Sequence, residues 1–399
     1  MTWTRQDEVT QRTQVLSEYL EGETNVSHLA RKYGVSRKTL YKWLRRHRAG
    51  GWSALQDQSR APHQSPQTLA PEVVEAIIAL KKRWPLWGAP KIRQKLLEQQ
   101  PGIKGPAEST VSAVLHRHGL VRAKKRRRRA TILAGTQPAM AGANDTWCVD
   151  FKGWFRTGDG NVCTPLTITD GHSRYLLRCQ GLGGSTAGLV IKPLFIEAFR
   201  EYGLPRSILS DNGPPFASTG LGGMSELCTW WMRLGIEIRR IEPGHPEQNG
   251  RHERMHRTLK EATASPPKQN LRAQQRAFDE FRKQYNEERP HEGLGQEVPA
   301  KHYGNSERVY PTRMPAARAY PDDWERRKVR TAGQIKWQGR NVRINQALRG
   351  ETIGFEPRGK GRWGVWFEWL ELGVFDEAKR KIKASGKKRR RMKKQVSKE

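Results

Sequence analysis

The stretch Trp147-Cys-Val-Asp-Phe-Lys-Gly-Trp154 decides how the central part of the chain folds. Its apolar and β-branched residues predict a strand over Thr146–Phe151, which Asp150 interrupts with a charge. A carboxylate at such a position costs free energy unless a metal ion or a cation neutralises it. The stretch therefore predicts a strand that presents a functional acid, although Asp150 taken alone could also be a turn former at a strand end.

Short β-rich runs and helical runs surround this strand between residues 144 and 302. Further strands are predicted at 161–169, 174–179, 207–210 and 236–241, and helices at 186–202, 247–264 and 271–287. Three strands followed by helices and further strands are the order of the ribonuclease H-like fold. We therefore predict an α/β domain over residues 144–305, whose function must be argued from its side chains because a fold does not fix one.

Two further acids lie in unusual settings. Asp211 follows an apolar strand and opens the turn Asp-Asn-Gly-Pro-Pro-Phe, which leaves its carboxylate at the C-terminal edge of that strand. Ligands bind at this edge in α/β sheets. Glu253 falls in the first turns of a helix that Asn-Gly introduces, although alone it could be an ordinary surface residue. The residues predicted to share its helical face are His256 or Arg257, and Lys260.

The three acids together indicate a metal site. Asp150, Asp211 and Glu253 suit Mg²⁺ or Mn²⁺, because these hard cations prefer carboxylate oxygen to nitrogen or sulfur. Two such ions about 3.5–4 Å apart would clamp a phosphodiester, one activating the attacking oxygen and the other stabilising the leaving oxygen. The acids therefore predict phosphoryl transfer with two metal ions and no covalent enzyme intermediate.

Three sequence blocks then make a family resemblance specific. They are Trp-x-x-Asp-Phe-Lys-Gly at Asp150, Ser-Asp-Asn-Gly-Pro-Pro-Phe at Asp211 and Gln-Asn-Gly-Arg-x-Glu-Arg-x-His-x-Thr-Leu-Lys at Glu253. These blocks resemble the catalytic core of bacterial insertion-sequence transposases of the DDE type, in the retroviral integrase superfamily, and the similarity extends over about residues 15–375. It implies that the three acids are the catalytic metal ligands and that Lys260, with Arg257 beside it, contacts DNA at the end of the element.

The resemblance also implies a reaction and its partners. A polynucleotidyl transferase with endonuclease activity would cut the element end with water and then join the freed 3′-hydroxyl to target DNA. Its partners would be double-stranded DNA, both terminal repeats and target, and other copies of the chain, as a dimer or higher oligomer. Two other function classes stay open: a regulator or inactive transposon relic that binds DNA without cutting it, and a structure-selective nuclease that cuts without joining.

One departure from the family concerns the spacing of the acids. Asp211 and Glu253 enclose 41 residues, whereas the shorter interval of retroviral integrases would select Glu247. We prefer Glu253 because its spacing to Gly250 and Lys260 fits the motif, while Glu247 lies at a helix entry, where acids commonly complement the dipole. Asp170 aligns with a non-catalytic acid, so we expect it to act structurally through Ser173 or Arg174.

Residues 1–56 predict a helix-turn-helix DNA-binding domain. Two helices between Ser27 and Leu44 join at Gly34, and Ser36 is placed to cap the second helix. The apolar positions expected to form its core are Leu29, Ala30, Tyr33, Val35, Leu40 and Leu44. The residues expected to enter a DNA groove are Arg37, Lys38, Tyr41 and Lys42.

The other parts of the chain have simpler predictions. A linker (57–69) precedes a second helix-turn-helix domain (70–122) with helices near 71–83, 89–99 and 108–118, and a basic linker (123–143) has Arg126 and Arg127 placed to contact phosphates. After another linker (306–327), residues 328–377 predict a small β-barrel with a tryptophan-rich core, and residues 378–399 a basic tail that orders only on DNA. The whole is therefore a multidomain protein of all-α units, an α/β core and a barrel.

Composition supports a polyanionic partner. The 399 residues include 73 Lys and Arg against 40 Asp and Glu, a formal charge of +33. We find no apolar run long enough to span a membrane and no signal peptide, and so expect no membrane partner and a cytoplasmic, nucleoid-associated protein. The four cysteines lie too far apart in sequence for a zinc motif, which predicts reduced, partly buried thiols.

Overall fold

The computed structural model describes residues 8–22, 24–57, 69–103, 105–121, 140–242 and 250–384. Two units divide the chain, Met1–Ala70 and Pro71–Glu399. The predicted contacts of Arg126 and Arg127, the alternative acid Glu247 and most of the basic tail lie outside the described residues.

The first unit contains the predicted helix-turn-helix. Its helices are α1 (Glu8–Leu20), α2 (Val26–Lys32) and α3 (Arg37–Gly50), followed by a 3-10 turn at Trp52–Leu55. The backbone turns between α2 and α3 at Gly34, whose φ of 66° favours glycine. Ser36 then caps α3 by accepting a hydrogen bond from the Thr39 amide. Of the predicted core, Leu29, Ala30, Leu40 and Leu44 are buried, and Tyr33 and Val35 pack beside them.

The second unit opens with three further helices, which match the predicted ones. They are α4 (Pro71–Arg83), α5 (Ala89–Gln99) and α6 (Glu108–Arg117). Trp84 and Trp87 are buried and stack with ring centroids 4.4 Å apart. The two tryptophans therefore serve packing between helices.

A mixed sheet forms the centre of the second unit. Its strands are β1 (Thr146–Phe151), β2 (Phe155–Arg156), β3 (Val162–Asp170), β4 (Leu176–Leu182), β5 (Ser207–Ser210) and β6 (Glu237–Arg240). β3 lies between β1 and β4, antiparallel to both, and short β2 extends the β3 edge; β1, β5 and β6 run parallel. The parallel strands end together at one edge of the sheet, where the sequence had placed Asp211.

Four helices cover the two faces of this sheet. They are α7 (Gly188–Tyr202), α8 (Glu226–Arg233), α9 (Gly250–Thr263) and α10 (Leu271–Glu287). α7 and α8 pack Phe195, Phe199 and Trp231 into one core with Trp147. α9 and α10 pack Met255 and other apolar residues against β3 and β4 in a second core. The α8 helix and the two-residue β2 strand were not predicted from the sequence.

The C-terminal region is β-rich, as predicted, but it does not close into a barrel within the described residues. Its strands are β7 (Glu325–Lys328), β8 (Gln334–Trp337), β9 (Arg340–Arg343), β10 (Thr352–Pro357), β11 (Arg362–Phe367), β12 (Leu370–Asp376) and β13 (Lys381–Ala384). Five form an open sheet in the order β13-β12-β11-β10-β7, and β8 and β9 form a separate hairpin. The prediction of a closed barrel was wrong because β7 and β13 remain edges, each rich in the basic residues that discourage further pairing.

Aromatic residues fill the interior of this region, as expected. Trp337 of the hairpin packs against Phe355 and Phe375 of the sheet, with ring centroids 4.9 and 5.1 Å away. The region docks on the central domain: Asn345 Nδ2 donates to the carbonyls of Leu221 and Met224 at 3.1 and 3.2 Å. The hairpin and sheet therefore share one apolar core with α7 and α8.

The cysteines and the helices agree with what the sequence predicts about thiols and membrane spans. Cys148, Cys163, Cys179 and Cys228 are free and buried, and burial raises the pKa of Cys148 to about 12 and of Cys163 to about 11. Within the described ranges, every helix is too short or too polar to cross a bilayer.

Candidate active site

Strand register brings the two predicted aspartates to one level of the sheet. Parallel neighbours β1 and β5 pair Thr146 with Ser207 and Cys148 with Leu209. β5 ends at Ser210, and continuing the register two residues beyond the last pair would set Asp211 level with Asp150. Both carboxylates are half-buried at the end of the parallel strands.

The turn after β5 holds Asp211 in place. Its carboxylate Oδ1 accepts a hydrogen bond from the Gly213 amide at 3.3 Å. Asn212 Nδ2 donates to the Ile241 carbonyl at 2.7 Å, and the Arg240 guanidinium donates to the Asp211 and Phe216 carbonyls at 3.4 and 2.9 Å. The turn is therefore tied to β6 on its far side, which limits the positions that the Asp211 carboxylate can reach.

Helix α9 crosses the same face of the sheet. β3 pairs Thr167 with Asp150, so the two side chains share a face. Thr167 Oγ1 lies 2.6 Å from His252 Nε2 and 2.7 Å from His256 Nε2, both on α9, and 3.2 Å from the Asp150 carbonyl. One hydroxyl therefore fixes two turns of α9 against the strand that carries Asp150.

Both histidines are neutral in this setting. Burial lowers the pKa of His252 to about 3, and burial together with the neighbouring His252 and Lys152 lowers that of His256 to about 2. The direction of each contact with Thr167 depends on the tautomer of the imidazole. His256 Nδ1 lies 4.0 Å from Asp150 Oδ2.

The metal-ligand donors that lie closest together include these histidines. Within the part of the chain that the structure describes, one group has its donor atoms within 4.8 Å of one another, and it consists of Asp150, His252 and His256. Asp211 and Glu253 do not belong to this group. Sequence reasoning noted only His256, as a neighbour on the helix; the signal it missed is the four-residue spacing of two histidines around Glu253.

Glu253 is exposed on α9, next to this anchored face. At 3.6 residues per turn, it lies about 60° around the helix from His256 and about 20° from Lys260. Arg257 and Lys260 are exposed as well. The helix thus presents Glu253 and Lys260 together, beside the histidines that hold it against Asp150.

Two further features lie near this helix. Lys260 lines a cavity of about 60 Å³ with Lys152 and Trp154, and the Trp154 side chain is 68% exposed. Asp170 has the structural role that was expected: its Oδ1 accepts from the Ser173 amide and hydroxyl, at 2.7 and 2.6 Å, and its Oδ2 from the Asn144 amide at 2.7 Å.

The predicted groove residues of the first unit lie on one helix. Arg37, Lys38, Tyr41 and Lys42 are all exposed on α3. The opposite side of α3 buries Leu40 and Leu44. A basic, solvated surface on the second helix of a helix-turn-helix is the arrangement that fits a major groove.

Family models match five segments of the chain. An integrase core domain matches residues 141–246 and a second integrase core model matches residues 234–299. A helix-turn-helix domain matches residues 11–63, a homeodomain-like domain residues 39–115, and the C-terminal domain of IS481 family transposases residues 325–383. Together the matches cover the helical units, the central sheet and the C-terminal sheet.

Similar proteins include products of insertion elements. The chain is 29% identical over 195 residues to an IS476 protein of Xanthomonas euvesicatoria and 26% identical over 185 residues to an IS407 protein of Burkholderia multivorans. These alignments cover 48% and 46% of this chain, and 54% and 64% of the two relatives. The chain thus spans little more than half the length of the first relative. It is also 40% identical over 76 residues to the Gag-Pol polyprotein of baboon endogenous virus, covering 19% of this chain and 4% of that one.

Solved structures of retroviral integrases also match. A chain of a simian T-cell lymphotropic virus intasome is 17% identical, with a TM-score of 0.37, and the match covers 72% of this chain and 91% of that one. The HTLV-2 integrase catalytic core in complex with magnesium is 16% identical, with a TM-score of 0.32, and covers 42% of this chain and 100% of that one.

Proposed function

We propose that the chain cleaves the ends of a mobile element and joins the 3′-hydroxyl strands to target DNA. The support is that models of a helix-turn-helix domain, an integrase core domain and the C-terminal domain of IS481 family transposases match it. The proposal includes the three acids as a DDE site, with Asp150, Asp211 and Glu253 as catalytic residues.

The observation that carries this proposal is the geometry of the sheet edge. The register of β1 and β5, continued two residues beyond its last pair, would set Asp211 level with Asp150, and the Thr167 hydroxyl contacts the helix that carries Glu253. This arrangement supports a meeting of the three acids at one edge of the sheet. Carboxylates held by separate rigid elements are what a site for phosphoryl transfer requires.

The donor set fits divalent cations. Asp150, Asp211 and Glu253 would hold Mg²⁺ or Mn²⁺, and we propose two ions, because oxygen-only ligands suit hard cations. When bound, such ions activate the attacking oxygen and neutralise charge on the scissile phosphate. Both aspartates are half-buried, so each carboxylate loses part of its hydration. A bound cation would compensate for that loss.

The remaining predicted residues would position DNA. Lys260 and Arg257 are exposed on α9, on the Glu253 side of the helix, where they would contact phosphates of the element end. Arg37, Lys38, Tyr41 and Lys42 of α3 would contact a terminal repeat in its major groove. Two element ends must come together for joining, so we propose a dimer or higher oligomer on DNA, at the nucleoid.

A strand-transfer assay tests the proposal. The full chain is incubated with Mg²⁺ and a labelled duplex that carries an element end, and cut and joined products are separated. We expect Asp211→Asn to lose both products while Glu280→Gln, an exposed acid on α10, keeps both. Joining by Asp211→Asn would refute the DDE assignment.

The same assay separates the alternatives. A regulator or an inactive relic would shift the labelled duplex without cutting it, and a structure-selective nuclease would cut without joining. Helix-turn-helix units and an IS481 transposase C-terminal domain favour joining over either alternative.

A further inference from the structure

A second cavity borders α9, and its lining includes His252 and Arg257, which also border the surface described above. Its volume is about 190 Å³, and α5, the turn between β3 and β4, α9 and the segment after α10 line it. Six of its lining residues are cationic, namely Lys91, Arg174, Arg251, Arg254, Arg257 and Arg289. The two carboxylates are Asp170 and Glu292.

The two carboxylates offset only part of this charge, because six cations face them. Asp170 accepts hydrogen bonds from the neutral donors of Ser173 and Asn144, and Glu292 is exposed but acts favourably on Lys91. Among the described residues, none of the six cations forms a salt bridge. The two lining histidines add no negative charge, and burial lowers the pKa of both His252 and His291 to about 3.

Four of the six cations are half-buried, and three of these come from distant parts of the chain: Lys91, Arg174 and Arg289; the fourth is Arg251 on α9. Burial, with Arg289 nearby, lowers the pKa of Lys91 to about 8, and burial also lowers the pKa of Arg174 and Arg289. Each shift means that the fold holds these cations at a cost in free energy. An anion in the cavity would offset that cost.

Some N–H donors of the lining cations stay available to a ligand. Lys91 Nζ donates to the Pro290 carbonyl, and Arg251 Nη1 to the Gly171 carbonyl at 2.9 Å. Arg174 Nε is buried without a partner in the described structure. Lys91 lies in the first turn of α5, where the helix dipole disfavours a cation and favours an anion.

The backbone at Arg174 and at Gly293 makes room for the Arg174 side chain at the cavity. Arg174 has a φ of 64°, in the left-handed region that an arginine seldom adopts. A side chain at position 293 would collide with its guanidinium, so Gly293 leaves the space that Arg174 occupies. A strained residue with its side chain accommodated in this way commonly marks a functional site.

We propose that this cavity binds a phosphate group, with Arg174, Arg289 and Lys91 as its donors. Guanidinium groups match the tetrahedral oxygens with paired N–H donors, and a lysine adds a compact charge. The phosphate can come from a DNA backbone or from free inorganic phosphate. Only the DNA source rests on the proposed function; the site itself does not depend on strand transfer.

Calorimetric titration of the full chain with inorganic phosphate, at constant ionic strength in chloride, tests the site. We expect saturable binding by the wild type and an affinity lower by at least about tenfold for Arg289→Gln, because a hydrogen bond to a charged group contributes about 1.5–3 kcal/mol. Arg272→Gln, an exposed arginine at the start of α10, is the matched control and keeps wild-type affinity. Equal affinities for wild type and Arg289→Gln, or an equal loss in Arg272→Gln, overturn the proposal.

Two additions keep the test decisive. If Arg289→Gln does not fold by circular dichroism, Lys91→Gln replaces it with the same expectation. Repeating the titration with saturating duplex DNA then separates the sources: competition by the duplex, with a salt slope of DNA binding lower by about one in the variant, assigns the phosphate to DNA. Undiminished binding of phosphate assigns it to the free anion.

Strand transfer by the same variants shows which proposal has failed. If the wild type binds phosphate but joins no ends, the phosphate site stands and the transposase assignment is refuted. If the wild type joins ends but Arg289→Gln binds phosphate as tightly as the wild type, the transposase assignment stands and the phosphate site is refuted.

Discussion

The two sides of α9 differ in charge and in the way they are held. On one side, His256 packs on Thr167 beside Asp150, and Glu253 lies next to it, while His252 contacts Thr167 and also borders the cavity. On the other side, Arg251 and its neighbours face a cavity with an excess of cations. Adjacent residues of one motif thus belong to different environments, and the motif alone does not separate acid chemistry from anion binding.

The largest expected effect distinguishes two neighbouring residues of this motif. Glu253→Gln keeps the size of the side chain but removes a metal-binding charge, so we expect strand transfer to fall by about 10³-fold or more. Arg254→Gln lies on the cavity side and should keep the chemical step while weakening phosphate binding. Single-turnover rates with pre-bound DNA measure the difference; equal losses in both variants would remove the distinction between the sides.

A smaller effect is expected from the residue that anchors the acid side. Thr167→Val removes the hydroxyl shared by His252 and His256 and should lower strand transfer about 10–100-fold, as outer contacts of a metal site commonly do. Raising the Mg²⁺ concentration should restore part of the rate, which a purely structural defect would not allow. Thr167→Ser, which keeps the hydroxyl, is the matched control and should retain most activity.

The sequence predicted the elements that have a clear pattern. β1, β5 and α10 have the predicted bounds, since the strands are short apolar runs that end at an acid or a turn, and the helix is amphipathic. Helix α8 was missed because it has only eight residues, too few for a helical period to stand out in the sequence. The open C-terminal sheet was missed because closure depends on whether distant edge strands pair, which local patterns do not encode.

The candidate site divides in the same way. Asp150 and Asp211 were predictable as acids at strand ends, and their common level follows from strand register. The contact of Thr167 with His252 and His256 joins residues more than 80 positions apart, and no local pattern predicts it. The cationic cavity likewise depends on Lys91 and Arg289, which are brought together only by tertiary packing.

The smallest effect concerns pH and the cavity side. His291 is buried against Tyr285, with ring centroids 4.6 Å apart, and burial lowers its pKa to about 3. Between this value and the ordinary value of about 6.5 the unfolded chain binds the extra proton, so stability falls as pH falls through that window. At pH 5 the loss of stability from this one group is at most about 2 kcal/mol relative to neutral pH.

Denaturant unfolding of the full chain, followed by tryptophan fluorescence at both pH values, should show His291→Asn losing less stability on acidification than the wild type. Because the comparison is between pH values, any constant destabilisation by the substitution cancels. An unchanged pH dependence in His291→Asn would mean that the pKa of His291 in the folded chain lies near its ordinary value, so that the ring adds a cation to the cavity at pH 5.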